Sequence, residues 1–169
     1  MERVAIVRAL RTPIGKYLGG LSHLTAAELG AAVVRPLLQG LDLPARDLVF
    51  GCARQAGQGP NPARQVALRA GMGEAAVAYT VNIACGSGLQ ALLLGAEAIQ
   101  LGRADVVVAG GVESMSRVPF LLDRMRTGYR LGHAQVVDGM YRDGFHCPMA
   151  DQVMGRTAET LAETHSIPR

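Results

Sequence analysis

The chain has 169 residues, a length that suits one domain with a sizeable core. Hydrophobic residues make up 49% and charged residues 18%, which excludes a disordered chain. No apolar run approaches the ~18 residues needed to span a bilayer. The net charge of +3 is small and scattered, and Lys16 is the only lysine, so the sequence offers no basic run for nucleic acid or a membrane surface. Three cysteines (Cys52, Cys85 and Cys147) are widely spaced, odd in number and without a Cys-x-x-Cys pair. That argues against a disulfide framework and against zinc. No secretory leader precedes the first apolar segment, so the expected compartment is the cytoplasm.

In chain order, Val4-Ala5-Ile6-Val7 reads as a buried first strand, broken by Arg11-Thr12-Pro13-Ile14-Gly15. Thr25-Ala26-Ala27-Glu28 has the form of a capping box. A helix follows with Leu29, Val33 and Leu37 on its apolar face, kinked at Pro36 and stopped at Gly40. Asp47 to Cys52 reads as a second strand. Asn61 caps a helix that has Pro62 at its first position and Gly71 past its end. Ala78 to Ile83 is a third strand, and Gly86 to Leu101 a third helix with a stripe of Leu89, Leu92, Leu93, Ala96 and Ile99. Ala104 to Gly110 is a continuous apolar strand of the kind covered on both faces.

Residues 1 to about 112 thus read βαβαβαβ, which predicts an α/β fold with a mainly parallel sheet. Composition then shifts toward Met, Arg, Gly and Tyr with weak periodicity, and Asp151 to Thr164 reads as one more helix. The expected division is 1–118 for the α/β domain and 119–169 for a loop-rich region.

The segment that carries chemistry is Asn82-Ile83-Ala84-Cys85-Gly86-Ser87-Gly88. A strand ends, the chain turns on small residues and a helix begins. Cys85 therefore falls at a helix N-terminus, where unpaired N–H groups and the macrodipole favour negative charge. Gly86 and Gly88 remove side chains beside the sulfur. The same N–H groups could hold the oxyanion formed when a thiolate attacks a thioester carbonyl. The position would equally suit a small buried core cysteine. A Gly-x-Ser-x-Gly nucleophile elbow fits poorly, because Ser87 lies one helical step in. The four histidines are solitary and lack metal-site spacing, and a dinucleotide site lacks its glycine spacing.

Five ordered segments resemble the thiolases, the acetyl-CoA acetyltransferases and 3-ketoacyl-CoA thiolases. They are Arg11-Thr12-Pro13-Ile14-Gly15, Asn61-Pro62-Ala63-Arg64-Gln65, the Asn82–Gly88 segment, Gly110-Gly111-Val112-Glu113-Ser114-Met115-Ser116, and Met154-Gly155-Arg156-Thr157-Ala158-Glu159. The resemblance implies the layered thiolase fold, of which this chain is the N-terminal half plus part of the substrate-binding loop domain. It implies that Cys85 carries the acyl group as a thioester and that its backbone N–H is one oxyanion donor. It implies acyl-CoA and coenzyme A as substrate and product, no separate cofactor, a role in fatty acid metabolism, and a homodimer or tetramer formed through strand 78–83.

Phe145 and Met154 match positions that line the pantetheine and acyl pocket of thiolases, with ordinary core packing as the other reading. Val153 departs from the pattern, because the short-chain biosynthetic thiolases often carry His there, and this leaves longer 3-ketoacyl-CoA substrates open. The family's acid–base histidine and second cysteine lie in Gly-His-Pro and Cys-x-Gly-Gly-Gly segments, and neither occurs in this sequence. The expectation is an N-terminal piece that does not turn over by itself. Two alternatives stand beside it. One is an isolated, non-catalytic piece that only associates with a partner half. The other is a condensing enzyme of the ketoacyl-synthase group, against which Cys85-Gly86-Ser87 speaks, since that group uses an Ala-Cys-Ser-Ser type of turn.

Overall fold

The computed structural model describes residues 3–41 and 44–169, and these fall into two compact units, Met1–Arg117 and Val118–Arg169. In the first unit, α1 (Ala26–Leu38) starts at Thr25, whose hydroxyl accepts from the Glu28 N–H while the Glu28 carboxylate accepts from the Thr25 N–H, the reciprocal capping box. β1 (Asp47–Gly51) leads to α2 (Pro62–Ala70). The Asn61 side chain caps α2, Pro62 takes its first turn, and Gly71 closes it at φ 93°. β2 (Val77–Val81), α3 (Ser87–Gln100) and β3 (Val107–Gly111) complete the unit.

The three strands form a parallel sheet in the order β2-β1-β3. Asp47 stands opposite both Val77 and Val107, and Gly51 opposite Val81 and Gly111, so the C-terminal strand ends are level. α1 and α2 pack together over one face, where Val34, Leu48, Phe50, Ala63, Val66 and Ala67 form the buried core. α3 lies against the strands as well, chiefly β3 and β1. The α/β class and the parallel sheet are as expected, and the helix starts agree to within a few residues.

The first strand differs. Val4–Val7 forms no strand, and Ile6 and Val7 are 80% and 75% exposed. The segment is anchored instead by Arg8, whose guanidinium donates to the carbonyls of Leu37 (3.0 Å) in the last turn of α1 and of Gln39 and Gly40 (3.0 Å) just beyond it. A cation there satisfies carbonyls that the helix leaves open. The described sheet of the first unit is therefore three-stranded, and the expected βαβαβαβ order loses its first β.

Both helix faces also differ. α1 buries Ala26, Ala27, Gly30, Ala31 and Val34, not the stripe of Leu29, Val33 and Leu37. Gly30 is required, because a Cβ there would lie 2.5 Å from Val66 Cγ2. α3 buries Ser87, Ala91 and Gly95, and leaves Leu89, Leu92 and Leu93 at 65%, 43% and 50% exposure. Small residues win the packed positions, those of α1 against α2 and those of α3 against the sheet, because they let the elements approach, as Gly95 does against Val107 and Ala109.

The second unit has two short antiparallel pairs, β4 (Phe120–Leu121) with β5 (Val137–Asp138), and β6 (His146–Cys147) with β7 (Gln152–Val153). A π-helical turn spans Tyr141–Phe145, and α4 (Met154–His165) ends the unit. No described helix is long and apolar enough to cross a membrane.

Candidate active site

The chain leaves the sheet at Val81 and enters α3 at Ser87, with Cys85 exposed in the connecting turn. Exposure removes the buried-core alternative for this cysteine. The reversal is made by Ala84, which adopts a left-handed φ of 53°. Both peptide groups around it are held. The Ala84 N–H donates to Asn82 Oδ1 (2.9 Å). The Ser87 hydroxyl donates to the Ala84 carbonyl (2.6 Å) and accepts from the Ile83 N–H (3.0 Å). Ser87 is buried, so its hydroxyl serves the turn and not a substrate. A strained residue thus does stand beside Cys85, at Ala84 and not at a glycine.

α3 begins without a side-chain cap, whereas Thr25 and Asn61 cap α1 and α2. Its first-turn N–H groups meet no side-chain cap, and that of Ser87 is taken by the Ala84 carbonyl at 3.1 Å. The helix end is seated on the level strand ends by two glycines. A Cβ on Gly51 would lie 2.5 Å from the Ser87 carbonyl carbon and 2.7 Å from Gly88 N, and one on Gly111 would lie 3.4 Å from Gly88 Cα. A Cβ on Gly88 would meet nothing within 4 Å, so that side of the turn is open.

Cys52 is the opposite case. It is 1% exposed, and its thiol donates to Glu113 Oε1 at 3.4 Å. Burial, and then the Glu113 carboxylate beside it, push the thiol up to about 12, so it stays protonated and is a poor nucleophile. Glu113 is a structural carboxylate that also accepts from the N–H groups of Ala53 (2.9 Å) and Arg54 (2.8 Å). Its neighbours tie down another loop: the Ser114 hydroxyl donates to the Leu24 carbonyl (2.6 Å) and Ser116 Oγ accepts from the Leu18 N–H (2.9 Å). The Gly110–Ser116 motif is thus a latch between loops.

The Asn61–Gln65 motif has a similar role. Asn61 Oδ1 accepts from the Arg64 N–H (3.2 Å) and the Thr80 hydroxyl (2.8 Å), and its Nδ2 donates to the Ala78 carbonyl (2.9 Å). Arg64 donates to the carbonyls of Ala76 and Glu74, and Gln65 to those of Gln58 and Pro60. Each polar side chain of the motif fixes backbone.

Phe145 and Met154 belong to the second unit. Phe145 stacks edge-on against Tyr141, with centroids 6.0 Å apart, and Met154 is 48% exposed at the first position of α4. His146 pairs with Val153, the residues that follow Phe145 and precede Met154 in the chain. Cys147 lies in β6 and is partly buried.

The sequence reading missed the left-handed Ala84, the seating glycines Gly51 and Gly111, and the contact of the Glu113 carboxylate with the buried Cys52 thiol. Asn82, two residues ahead of Ala84, was the available signal, since Asn side chains bond backbone N–H groups two residues on.

Comparison with known proteins decides the family. The model of the thiolase N-terminal domain matches residues 4–169. The chain belongs to the thiolase family. Among curated thiolase relatives, the acetyl-CoA acetyltransferase of Pseudomonas aeruginosa is 49% identical over all of this chain and 44% of its own length. A probable acetyl-CoA acetyltransferase of Escherichia coli is 46% identical with the same coverage. Acetyl-CoA acetyltransferase IB of Candida tropicalis is 42% identical over 98% of this chain and 42% of its own. The chain therefore spans less than half the length of these relatives. The match to thiolases also sets aside the ketoacyl-synthase alternative.

Proposed function

We propose that this chain is the acyl-accepting part of a cytoplasmic acyl-CoA C-acyltransferase, with Cys85 as nucleophile. The observation that carries the proposal is the contrast between Cys85, exposed at an uncapped helix start, and Cys52, buried and held protonated. In thiolysis the Cys85 sulfur attacks the C3 carbonyl carbon of a 3-ketoacyl-CoA and the electron pair moves to oxygen. Collapse breaks the C2–C3 bond, acetyl-CoA leaves as the protonated carbanion, and the acyl group stays on sulfur. Coenzyme A then attacks this thioester, releases the shortened acyl-CoA and returns the proton to Cys85. Condensation runs the same steps backwards. The Cys85 N–H would steady the oxyanion, since the Gly86 and Ser87 N–H groups are already given to the Ile83 and Ala84 carbonyls.

In this proposal residues 119–169 begin the substrate-binding loop domain, and Phe145 and Met154 line its acyl and pantetheine path. Proton transfer falls to groups outside this chain. The test is incubation with acetyl-CoA followed by peptide mapping. An acetyl group on the Cys85 peptide, absent in Cys85→Ser, is the expected result, with no carbon–carbon bond formation by this chain alone. Acetylation confined to Cys52 or Cys147 would overturn the assignment.

A further inference from the structure

Asn82 is exposed, yet its side chain is committed on both sides. Its Oδ1 takes the Ala84 N–H at 2.9 Å, and its Nδ2 reaches the Ala53 carbonyl at 3.4 Å. Ala53 is in turn held through its own N–H by the Glu113 carboxylate at 2.9 Å. Asn82 therefore joins the loop after β1 to the one residue of the turn that has an unfavourable backbone conformation. A non-glycine residue enters the left-handed region against a penalty equivalent to about tenfold in population, and persists there only when its surroundings hold it. Ser87 holds the carbonyl side of Ala84 and, among the described residues, Asn82 alone holds the N–H side. The turn at Ala84 fixes the direction in which the next residue, Cys85, leaves the sheet and meets the first turn of α3.

We propose that Asn82 is a positioning residue for Cys85: its carboxamide keeps Ala84 left-handed and thereby sets the sulfur at the mouth of α3. The inference rests on reading Cys85 as the nucleophile. It does not involve contact of Asn82 with substrate.

The experiment uses the whole chain and reads the rate of iodoacetamide labelling at each cysteine by mass mapping, native and in denaturant. Cys52 serves as the folding reporter, since global loosening would release it, and Cys147 as the bystander. Cys85 of the folded chain is expected to label faster than in the denatured chain. Asn82→Ala is expected to slow Cys85 about tenfold, the penalty above, while Cys52 stays protected and Cys147 is unchanged. Asn82→Asp retains the acceptor for the Ala84 N–H and should stay within about threefold of the parent, a loss of less than 1 kcal/mol. The decisive variant is Asn82→Ala with Ala84→Gly. Glycine enters the left-handed region freely, so it should restore the rate without restoring the hydrogen bond.

Labelling of Asn82→Ala at the parental rate would overturn the proposal, as would a failure of Ala84→Gly to rescue it. It also falls if folded Cys85 reacts no faster than unfolded Cys85, or if the loss in Asn82→Ala is matched by exposure of Cys52. Acetyl transfer from acetyl-CoA is the separate readout for the function itself. If labelling follows the expected pattern but no acetyl group reaches Cys85, the nucleophile reading fails, and what stands is that Asn82 sets the Cys85 geometry, not that it serves catalysis.

Discussion

Gly51 is the position where one added methyl group should do most damage to the candidate site. An alanine Cβ would sit 2.5 Å from the Ser87 carbonyl carbon, 2.7 Å from Gly88 N and 2.7 Å from Ser87 Cβ. Carbon atoms settle at about 3.5–4.0 Å, so the start of α3 would have to retreat by about 1 Å. Two of the three obstructing atoms are backbone, and no rotamer change relieves them. Overpacking of this kind costs about 1–3 kcal/mol, or about 2–12 °C in melting temperature for a chain of this size. Gly111→Ala should be milder, since its nearest obstacles are Gly51 O at 3.2 Å and Gly88 Cα at 3.4 Å. Gly110→Ala is the control. Its Cβ would touch only the Phe50 ring at 3.4–3.9 Å, ordinary contact, so it should stay within about 1 kcal/mol of the parent. Thermal unfolding followed by circular dichroism ranks the three. A Gly51→Ala protein that melts together with or above Gly110→Ala would refute the claim that α3 is seated on the strand ends by close backbone approach.

Further expectations concern the same unit. The raised Cys52 thiol gives stability that is whole below pH 9, the ordinary thiol value, and is lost as pH rises toward about 12, because the unfolded chain gives up its proton first. Cys52→Ala should flatten that alkaline decline in a pH series of melting curves, and an unchanged slope would count against the buried thiol. The Glu28 carboxyl is held below 4.5 by the Thr25 N–H and hydroxyl, so its contribution is present above that value and fades as pH falls through the lowered one. Glu28→Gln should therefore lower stability at neutral pH and narrow the gap to the parent in acid, read by the same melts. Asn61→Ala removes the cap of α2 together with its bonds to Thr80 and Ala78, and a loss of about 1–2 kcal/mol is expected by urea unfolding. A change below about 0.5 kcal/mol would show that Arg64 and Gln65 hold the loop without it.

The parts of the fold legible in the sequence were those with a local cause. Thr25 and Glu28 lie three residues apart and bond each other, and Asn61-Pro62 and Gly71 bracket a helix by their own conformational preferences. The turn at Cys85 was legible for the same reason, as a strand that stops on small residues. What could not be read was set by partners distant in sequence. Leu29 and Val33 show helical periodicity as clear as that of Ala27 and Ala31, yet the face packed on α2 went to the small residues, because Gly30 must admit Val66. Gly51 and Gly111 gave no sign of their role, which exists only where β1, β3 and α3 converge. Glu113 lies 61 residues from the thiol it touches. Val4–Val7 had the composition of a strand, but composition does not provide an edge to pair with, and Arg8 tied the segment to α1 instead.

The last expectation concerns association. β2 is an edge strand with one neighbour in the three-stranded sheet, and Val77 and Tyr79 on it are 59% and 40% exposed. Its inward groups are identified: the Val77 N–H donates to the Arg46 carbonyl, and the Val81 carbonyl accepts from the Cys52 N–H. Since N–H groups alternate along a strand, those of Ala78 and Thr80 point away from β1. Asn61 Nδ2 donates to the Ala78 carbonyl on this edge at 2.9 Å, and the outward N–H groups beside it are a template for a second copy. The exposed leucines of α3, Leu89, Leu92 and Leu93, add an apolar stripe that water covers poorly. The proposal is a homodimer or larger assembly through the expected strand 78–83, of which β2 covers 78–81, seen by light scattering at micromolar concentration as a mass above 17.8 kDa. Ala78→Pro removes an outward donor and no ladder bond, so it should shift the chain toward monomer while circular dichroism stays native. Leu92→Lys should leave a dimer formed through the edge intact and suppress only the further aggregation driven by the stripe. A parent chain that stays a soluble monomer, or a dimer that Ala78→Pro leaves whole and Leu92→Lys dissolves, would move the interface away from β2.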